Sequence, residues 1–162
     1  MKKDITVIKF DENEIRSMGR SSSGVKGIDL DGAIVVGAEV VNSGQYILIV
    51  TEKGYGKKTP IDEYRLTHRG SKGVKALNVT EKNGMLVSLK SINGDCDLMI
   101  ITDNGVVMRM PITQISTLKR ATQGVRLINL KEENRVATVA IVTKSSKEDD
   151  ENNETVEKTI SE

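Results

Sequence analysis

The chain has 162 residues, with 24 Lys and Arg against 23 Asp and Glu, one Cys, one His, one Phe and no Trp. That length fits one domain, or one domain with a tail; no apolar run reaches the ~18 residues of a membrane span, and the start "MKKDITVIKF" lacks the apolar stretch of a signal peptide. Cys96, being alone, excludes an internal disulfide and a cysteine metal cluster and fits a reducing cytosol, while a core without Trp must rest on Val, Ile, Leu and Met, an inventory that suits strands.

In chain order, "ITVIKFDENEI" (Ile5–Ile15) reads as the last strand of an incomplete unit, followed by the cation and glycine loop "RSSSGVKGI" (Arg20–Ile28). "VTEKGYGKKTPI" (Val50–Ile61) is a strand, a short turn and a second strand, and a second cationic loop, "RGSKGVK", runs from Arg69 to Lys75. Four short strands follow: "GVKALNV", "MLVSLKSI", "DLMIIT" and "VVMRMPI". Turn residues punctuate them at Asn83-Gly84, Asn93-Gly94-Asp95 and Asp103-Asn104-Gly105. The turns "EKGY" and "DNGV" need positive φ, which Gly and Asn supply at little cost. A third loop, "RATQGVRLI", begins at Arg120, and "NRVATVAIV" closes the body. No stretch predicts a helix longer than two turns.

These elements repeat. Arg20, Arg69 and Arg120 are each followed by Gly (Gly24, Gly73, Gly124), Val (Val25, Val74, Val125) and a cation (Lys26, Lys75, Arg126), at spacings of 49 and 51. A second marker recurs at 51: Thr51, Gly54, Lys58, Pro60 and Ile61 match Thr102, Gly105, Arg109, Pro111 and Ile112. About 50 residues and four strands per unit is the signature of a propeller-type blade. The expected fold is all-β, with four-stranded antiparallel blades over residues 5–142, little helix, and the three loops at equivalent places on one rim. Three blades are fewer than the four to eight of a closed propeller, so the expectation is an open arc or part of a longer array.

The loops place cations along one track: Arg20 and Lys26, then Arg69, Lys72 and Lys75, then Arg120 and Arg126. Lys57, Lys58 and Arg109 join from strands, and Arg16, Arg65, His68 and Lys119 precede the loops. The loop glycines are expected to let backbone approach a ligand closely. A track without aromatics argues against stacking on single-stranded bases and suits duplex phosphates; no Asn or Gln cluster is placed to read base edges. His68 stands alone, Asp95, Asp97 and Asp103 read as turn carboxylates, and Met85, Met99, Met108 and Met110 read as core. No constellation supports catalysis or a metal site.

"THRGSKG" (Thr67–Gly73), "ENEIRSMGRSSSGVKGI", "GYGKKTPIDEYR" and "TQGVRLINL" followed by "NRVATVAIV" resemble the C-terminal domain of DNA gyrase A over about residues 10–143. The resemblance implies a β-pinwheel, a ring of about six blades that wraps duplex DNA around its perimeter, of which this chain would supply about three. In the family the wrap serves ATP-dependent negative supercoiling, so ATP and Mg would be used elsewhere in a heterotetramer of gyrase A and gyrase B, in the bacterial cytoplasm, with no cofactor here. The family's box, Gln-Arg-Arg-Gly-Gly-Lys-Gly, is kept at Arg69, Gly70, Lys72 and Gly73 and lost at Thr67, His68 and Ser71; a full box would lie upstream. Tyr46, Tyr55 and Tyr64 inherit no catalytic role. The corresponding module of topoisomerase IV, and a propeller that binds protein partners, are the alternatives. Residues 144–162 carry seven acids against three bases, a net −4 beside a body of +5, and are expected to form a disordered acidic tail.

Overall fold

Among the described residues, short apolar runs cut by glycine turns fold into nine strands. The computed structural model describes residues 5–42, 45–131 and 133–143; the tail expected at 144–162 lies outside them. The strands are β1 (Ile5–Val7), β2 (Tyr46–Thr51), β3 (Tyr55–Pro60), β4 (Val74–Leu77), β5 (Leu86–Ile92), β6 (Cys96–Thr102), β7 (Val107–Pro111), β8 (Val125–Arg126) and β9 (Val136–Thr143). Helical structure among the described residues is confined to 3-10 turns at Glu12–Glu14, Ile61–Glu63 and Ile112–Gln114. The repeat is therefore structural: β2 and β6, β3 and β7, β4 and β8, and β5 and β9 are equivalent pairs, and the 3-10 turns recur at 49 and 51.

The repeat markers have local causes. Gly54 and Gly105 turn the β2–β3 and β6–β7 hairpins at φ of 76° and 81°, a region open to glycine. The Thr51 hydroxyl donates to the Tyr55 carbonyl at 3.2 Å, and the Thr102 hydroxyl to that of Val106 at 3.0 Å, so each hairpin is tied across its turn. Pro60 and Pro111 end β3 and β7, where a missing N–H ends the ladder, and each precedes a 3-10 turn.

The strands pair antiparallel in three sheets, ordered β1-β4, β5-β2-β3-β8 and β7-β6-β9. The four strands read from one repeat unit, β4 to β7, are thus shared among all three. A sheet is built from strands up to two units apart, because the period records equivalence and not pairing. In β2, Leu48 and Val50 face a core shared with Leu98 and Ile100 of β6 and Val136 and Val139 of β9. Ile47 and Ile49 face a second core with Ile5, Tyr64 and Leu77. β2 is thus buried on both faces, which explains why "YILIVT" is apolar without alternation. The lone Cys96 is buried in the first of these cores.

The first unit is built differently. Residues 24–42 form no strand, and Ile34 and Val40 are 82% and 81% exposed.

Candidate nucleic-acid interface

The three cationic loops occupy equivalent places, and each later loop is seated on the one before it. Asp29 N–H donates to Ser71 O at 3.0 Å, and Asn78 N–H to Thr122 O at 3.0 Å, the same bond one unit apart. Arg69 Nη1 donates to Lys26 O at 3.2 Å, and Arg120 Nη1 to Lys75 O at 3.1 Å. Each loop arginine thus clasps the backbone of the cation that belongs to the preceding loop. A second seam runs beside it. Lys9 Nζ donates to Ile61 O at 3.3 Å and Lys58 Nζ to Ile112 O at 3.1 Å. In the same register Thr67 N–H meets Lys9 O at 2.8 Å, and Leu118 N–H meets Lys58 O at 2.9 Å.

The loop glycines have a different reason from the one expected. Gly73 and Gly124 have φ of 75° and 80°, and a Cβ on them would lie 2.6 Å from Val7 O and 2.8 Å from Gly56 O. What comes close is the chain's own preceding unit, so these glycines let the loops dock. Around Gly24, with φ of 80°, a Cβ would meet nothing within 4 Å.

The cations expected on one track divide into three groups. Arg16, Arg20, Lys26, Arg65, His68, Lys72, Arg109, Lys119 and Arg126 are exposed. Lys26 pairs with Asp29 at 2.6 Å, and that hydrogen bond and charge hold the Asp29 carboxyl below its ordinary range. His68 Nδ1 lies 3.3 Å from Glu14 Oε1, and Glu14 also accepts the Arg69 N–H at 3.0 Å, so this carboxylate holds the start of the loop. Arg69, Lys75, Arg120 and Lys58 are half-buried and serve the seams; Lys58 also lies 5.7 Å over the Tyr46 ring. Arg109 pairs with Asp97 at 2.7 Å across the β6–β7 ladder.

Lys57 leaves the track altogether. It has no exposure, and its ammonium donates to Lys119 O at 2.8 Å, to Arg120 O, and to Thr122 Oγ1 at 3.2 Å. Burial, helped by the nearby Arg120 charge, brings its pKa down to about 8. Adjacent strand residues point to opposite faces, and Lys57 takes the inward one. Sequence reasoning missed Lys9, although it aligns with Lys58 at 49, and missed Lys53, Lys82, Lys131 and Arg135, which carry no repeat signal.

Stacked antiparallel sheets that recur about every fifty residues, joined loop on loop, define a propeller-type β domain. Comparison with known proteins gives it a family. A model described as "DNA gyrase C-terminal domain, beta-propeller" matches residues 6–42, 45–93 and 97–143, one match per unit, and the chain belongs to that family. DNA gyrase A of Staphylococcus aureus strain MRSA252 is 48% identical over 160 residues, which is 97% of this chain and 18% of that protein. Its counterpart in strain NCTC 8325 is 44% identical over the same shares. The chain therefore spans 18% of the length of the curated relatives it matches. Among solved structures, a DNA gyrase A C-terminal domain superposes with TM-score 0.70 at 19% identity, over 85% of this chain and 47% of that one. The C-terminal domain of a DNA topoisomerase IV superposes with TM-score 0.77 at 22% identity, over 91% and 47%, and at that identity shares the fold. No helix among the described residues is long and apolar enough to cross a membrane.

Proposed function

We propose that the chain is a duplex-DNA-binding module that wraps DNA along its loop seam, without sequence preference, as part of a DNA gyrase A. The observation that carries this reading is the loop-on-loop seam within a chain of this family. It holds cationic loops at a constant structural interval, which suits a polyanion of constant charge spacing. The whole enzyme would be a heterotetramer with gyrase B in the bacterial cytoplasm, associated with the nucleoid, using ATP and Mg elsewhere for negative supercoiling. Family membership and the 48% identity to a DNA gyrase A favour gyrase over topoisomerase IV.

A duplex titration across salt tests the reading. Neutralising six to eight phosphates predicts a slope of log K against log salt of roughly −5 to −7. Replacing Arg16, Arg65, Lys72 and Lys119 together with Ala leaves the seam bonds intact. That variant is expected to weaken all duplexes alike and to flatten the slope by about 3 units. A wild-type chain with no salt-dependent duplex binding overturns the reading.

A further inference from the structure

Three Asn-Gly pairs punctuate the chain, at Asn83-Gly84, Asn93-Gly94 and Asn104-Gly105. Such a pair has a chemistry of its own, because a glycine nitrogen, unhindered by a side chain, can attack the amide carbon of the asparagine before it. The structure restrains that attack at two of the pairs. Asn83 is buried; its Nδ2 donates to Asn78 O at 2.9 Å and to Gln123 O at 3.1 Å, and its Oδ1 accepts the Thr80 N–H at 2.8 Å. The Gly84 N–H donates to Thr80 O at 3.1 Å. Asn104 is exposed, but its Oδ1 lies 2.5 Å from the Thr102 hydroxyl, and the Gly105 N–H donates to Thr102 O at 3.1 Å.

Asn93-Gly94 is the pair left open. Both residues are exposed, and among the described residues neither the Asn93 side chain nor the Gly94 N–H has a hydrogen-bond partner. A Cβ on Gly94 would meet nothing within 4 Å. The Asn93 carbonyl accepts the Cys96 thiol at 3.8 Å, and a thiol is a weak donor. Residues 93–95 join β5, which lies in the sheet of β2, to β6, which lies in the sheet of β9. β5 and β6 do not pair with each other, so the backbone at Asn93 can rotate into an attacking geometry without breaking a ladder.

We infer that Asn93 is a site of spontaneous deamidation and backbone isomerisation. The Gly94 nitrogen gives up its proton to base and bonds to Asn93 Cγ. The Cγ–Nδ2 bond breaks, and ammonia leaves with a proton from water, closing a succinimide ring. Water then adds to one of the two ring carbonyls, its hydroxyl going to the carbon and its proton to the ring nitrogen. Opening at Cγ leaves aspartate; opening at the main-chain carbonyl leaves isoaspartate, with the backbone longer by a methylene. Nothing is oxidised or reduced, and water is the one co-reactant. Either product brings the formal net charge of +1 to zero and adds a carboxylate next to Asp95 in sequence. Isoaspartate also lengthens the link that carries the chain from the sheet of β5 to that of β6. The inference does not depend on what the chain binds.

The test holds the whole chain at mildly alkaline pH, native and in urea, and maps amide-to-acid conversion at the three pairs by peptide fragmentation. A protein-isoaspartate methyltransferase serves as the probe for the isomerised product. Native protein is expected to convert Asn93 first, at a rate within a few-fold of that in urea. Asn83 and Asn104 are expected to lag at least about tenfold in native protein and to catch up in urea, since each must first open a local hydrogen bond, which shifts an equilibrium by roughly that factor. Asn93→Gln keeps an exposed amide on a side chain too long to close the five-membered ring, and is expected to remove the first acidic species seen on ion exchange; Asn93→Asp marks where that species elutes. Asp31-Gly32 can isomerise by loss of water, but it changes no charge, so ion exchange tells it apart. Native conversion led by Asn83 or Asn104, an Asn93 slowed in native protein as much as they are, or a first acidic species that persists in Asn93→Gln overturns the site.

Discussion

Lys57 and Lys58 are neighbours on β3 and end in opposite environments. Lys58 reaches sideways across the seam to Ile112 O, with its ammonium over the Tyr46 ring. Lys57 points inward and meets two carbonyls and a hydroxyl of the loop 119–122, with no carboxylate among its bonded partners. Replacing it with Met removes a desolvated charge and also strands the carbonyls of Lys119 and Arg120. The second effect is expected to win, because buried unpaired polar groups cost about 1–3 kcal/mol each. The folded-state pKa of about 8 lies below the ordinary lysine value of ~10.4. Below pH 8 both folded and unfolded chains are protonated and the desolvation cost is fully present. Between about 8 and 10.4 the folded chain releases its proton first, so stability rises with pH there, by at most ~1.4 kcal/mol per unit. Urea unfolding of both proteins at pH 7 and pH 10 checks this: the deficit of Lys57→Met is expected to be larger at pH 10. An equal deficit at the two pH values would mean that Lys57 does not titrate as its burial implies. Both lysines look alike as cations in the sequence; what separates them is the face of β3 each occupies, and a strand buried on both sides shows no alternation that would reveal it.

The loops are the element whose spacing was legible and whose cause was not. Aligned Arg, Gly and Val residues correctly placed three equivalent loops. They could not show that the preceding unit's backbone fills the space where a ligand was expected. The structure gives the arginines of the two later loops and their glycines a common purpose, the docking of one unit on another, so the proposed DNA track would fall to the exposed cations around them. Two substitutions of the same type should therefore differ. Gly24→Ala meets only the strain of a positive φ, about 1–2 kcal/mol, since nothing lies near its Cβ. Gly124→Ala meets that strain and also the Gly56 carbonyl at 2.8 Å, and is expected to cost roughly 2–5 kcal/mol, the strain of about 1–2 kcal/mol plus the ~1–3 kcal/mol of overpacking. Thermal unfolding of the two variants checks the order, and equal costs would mean that the loop does not seat on β3 in solution. Arg120→Lys is expected to destabilise by about 1–2 kcal/mol, because an ammonium cannot keep the geometry of the guanidinium that clasps Lys75 O. Arg20→Lys, at an exposed position, is expected to fall within about 0.5 kcal/mol.

At the scale of the whole molecule, the period of about fifty residues and the all-β class were readable because each unit carries its own turn glycines and its own apolar runs. The pairing was not, because β2 and β6 are apolar on both faces and so carry no mark of which strand lies on which side. The same ambiguity covers residues 33–41, whose valines match β5 at 51 and which nonetheless form no strand. β5 lies against β2, and β9 against β6. Residues 33–41 join no ladder among the described residues, and Ile34 and Val40 keep apolar side chains exposed. Stability should accordingly be uneven along the chain. β2 and β6 are paired on both edges and are expected to hold the slowest-exchanging amides, close to the global unfolding free energy. Residues 33–41 are expected to exchange orders of magnitude faster. Substitution should follow the same gradient: Leu98→Ala, fully buried in β6, should cost about 2–5 kcal/mol, and Val40→Ala, 81% exposed, no more than about 0.5 kcal/mol. Hydrogen exchange across a protein-concentration series gives the decisive reading. An exposed apolar segment outside any ladder of the described residues is a template for pairing, so protection at 33–41 should be absent at low concentration and rise first as concentration increases. Strong protection there at the lowest concentration would show that the segment already has a partner within its own chain, and that β5 and residues 35–41 are equivalent in structure as well as in sequence.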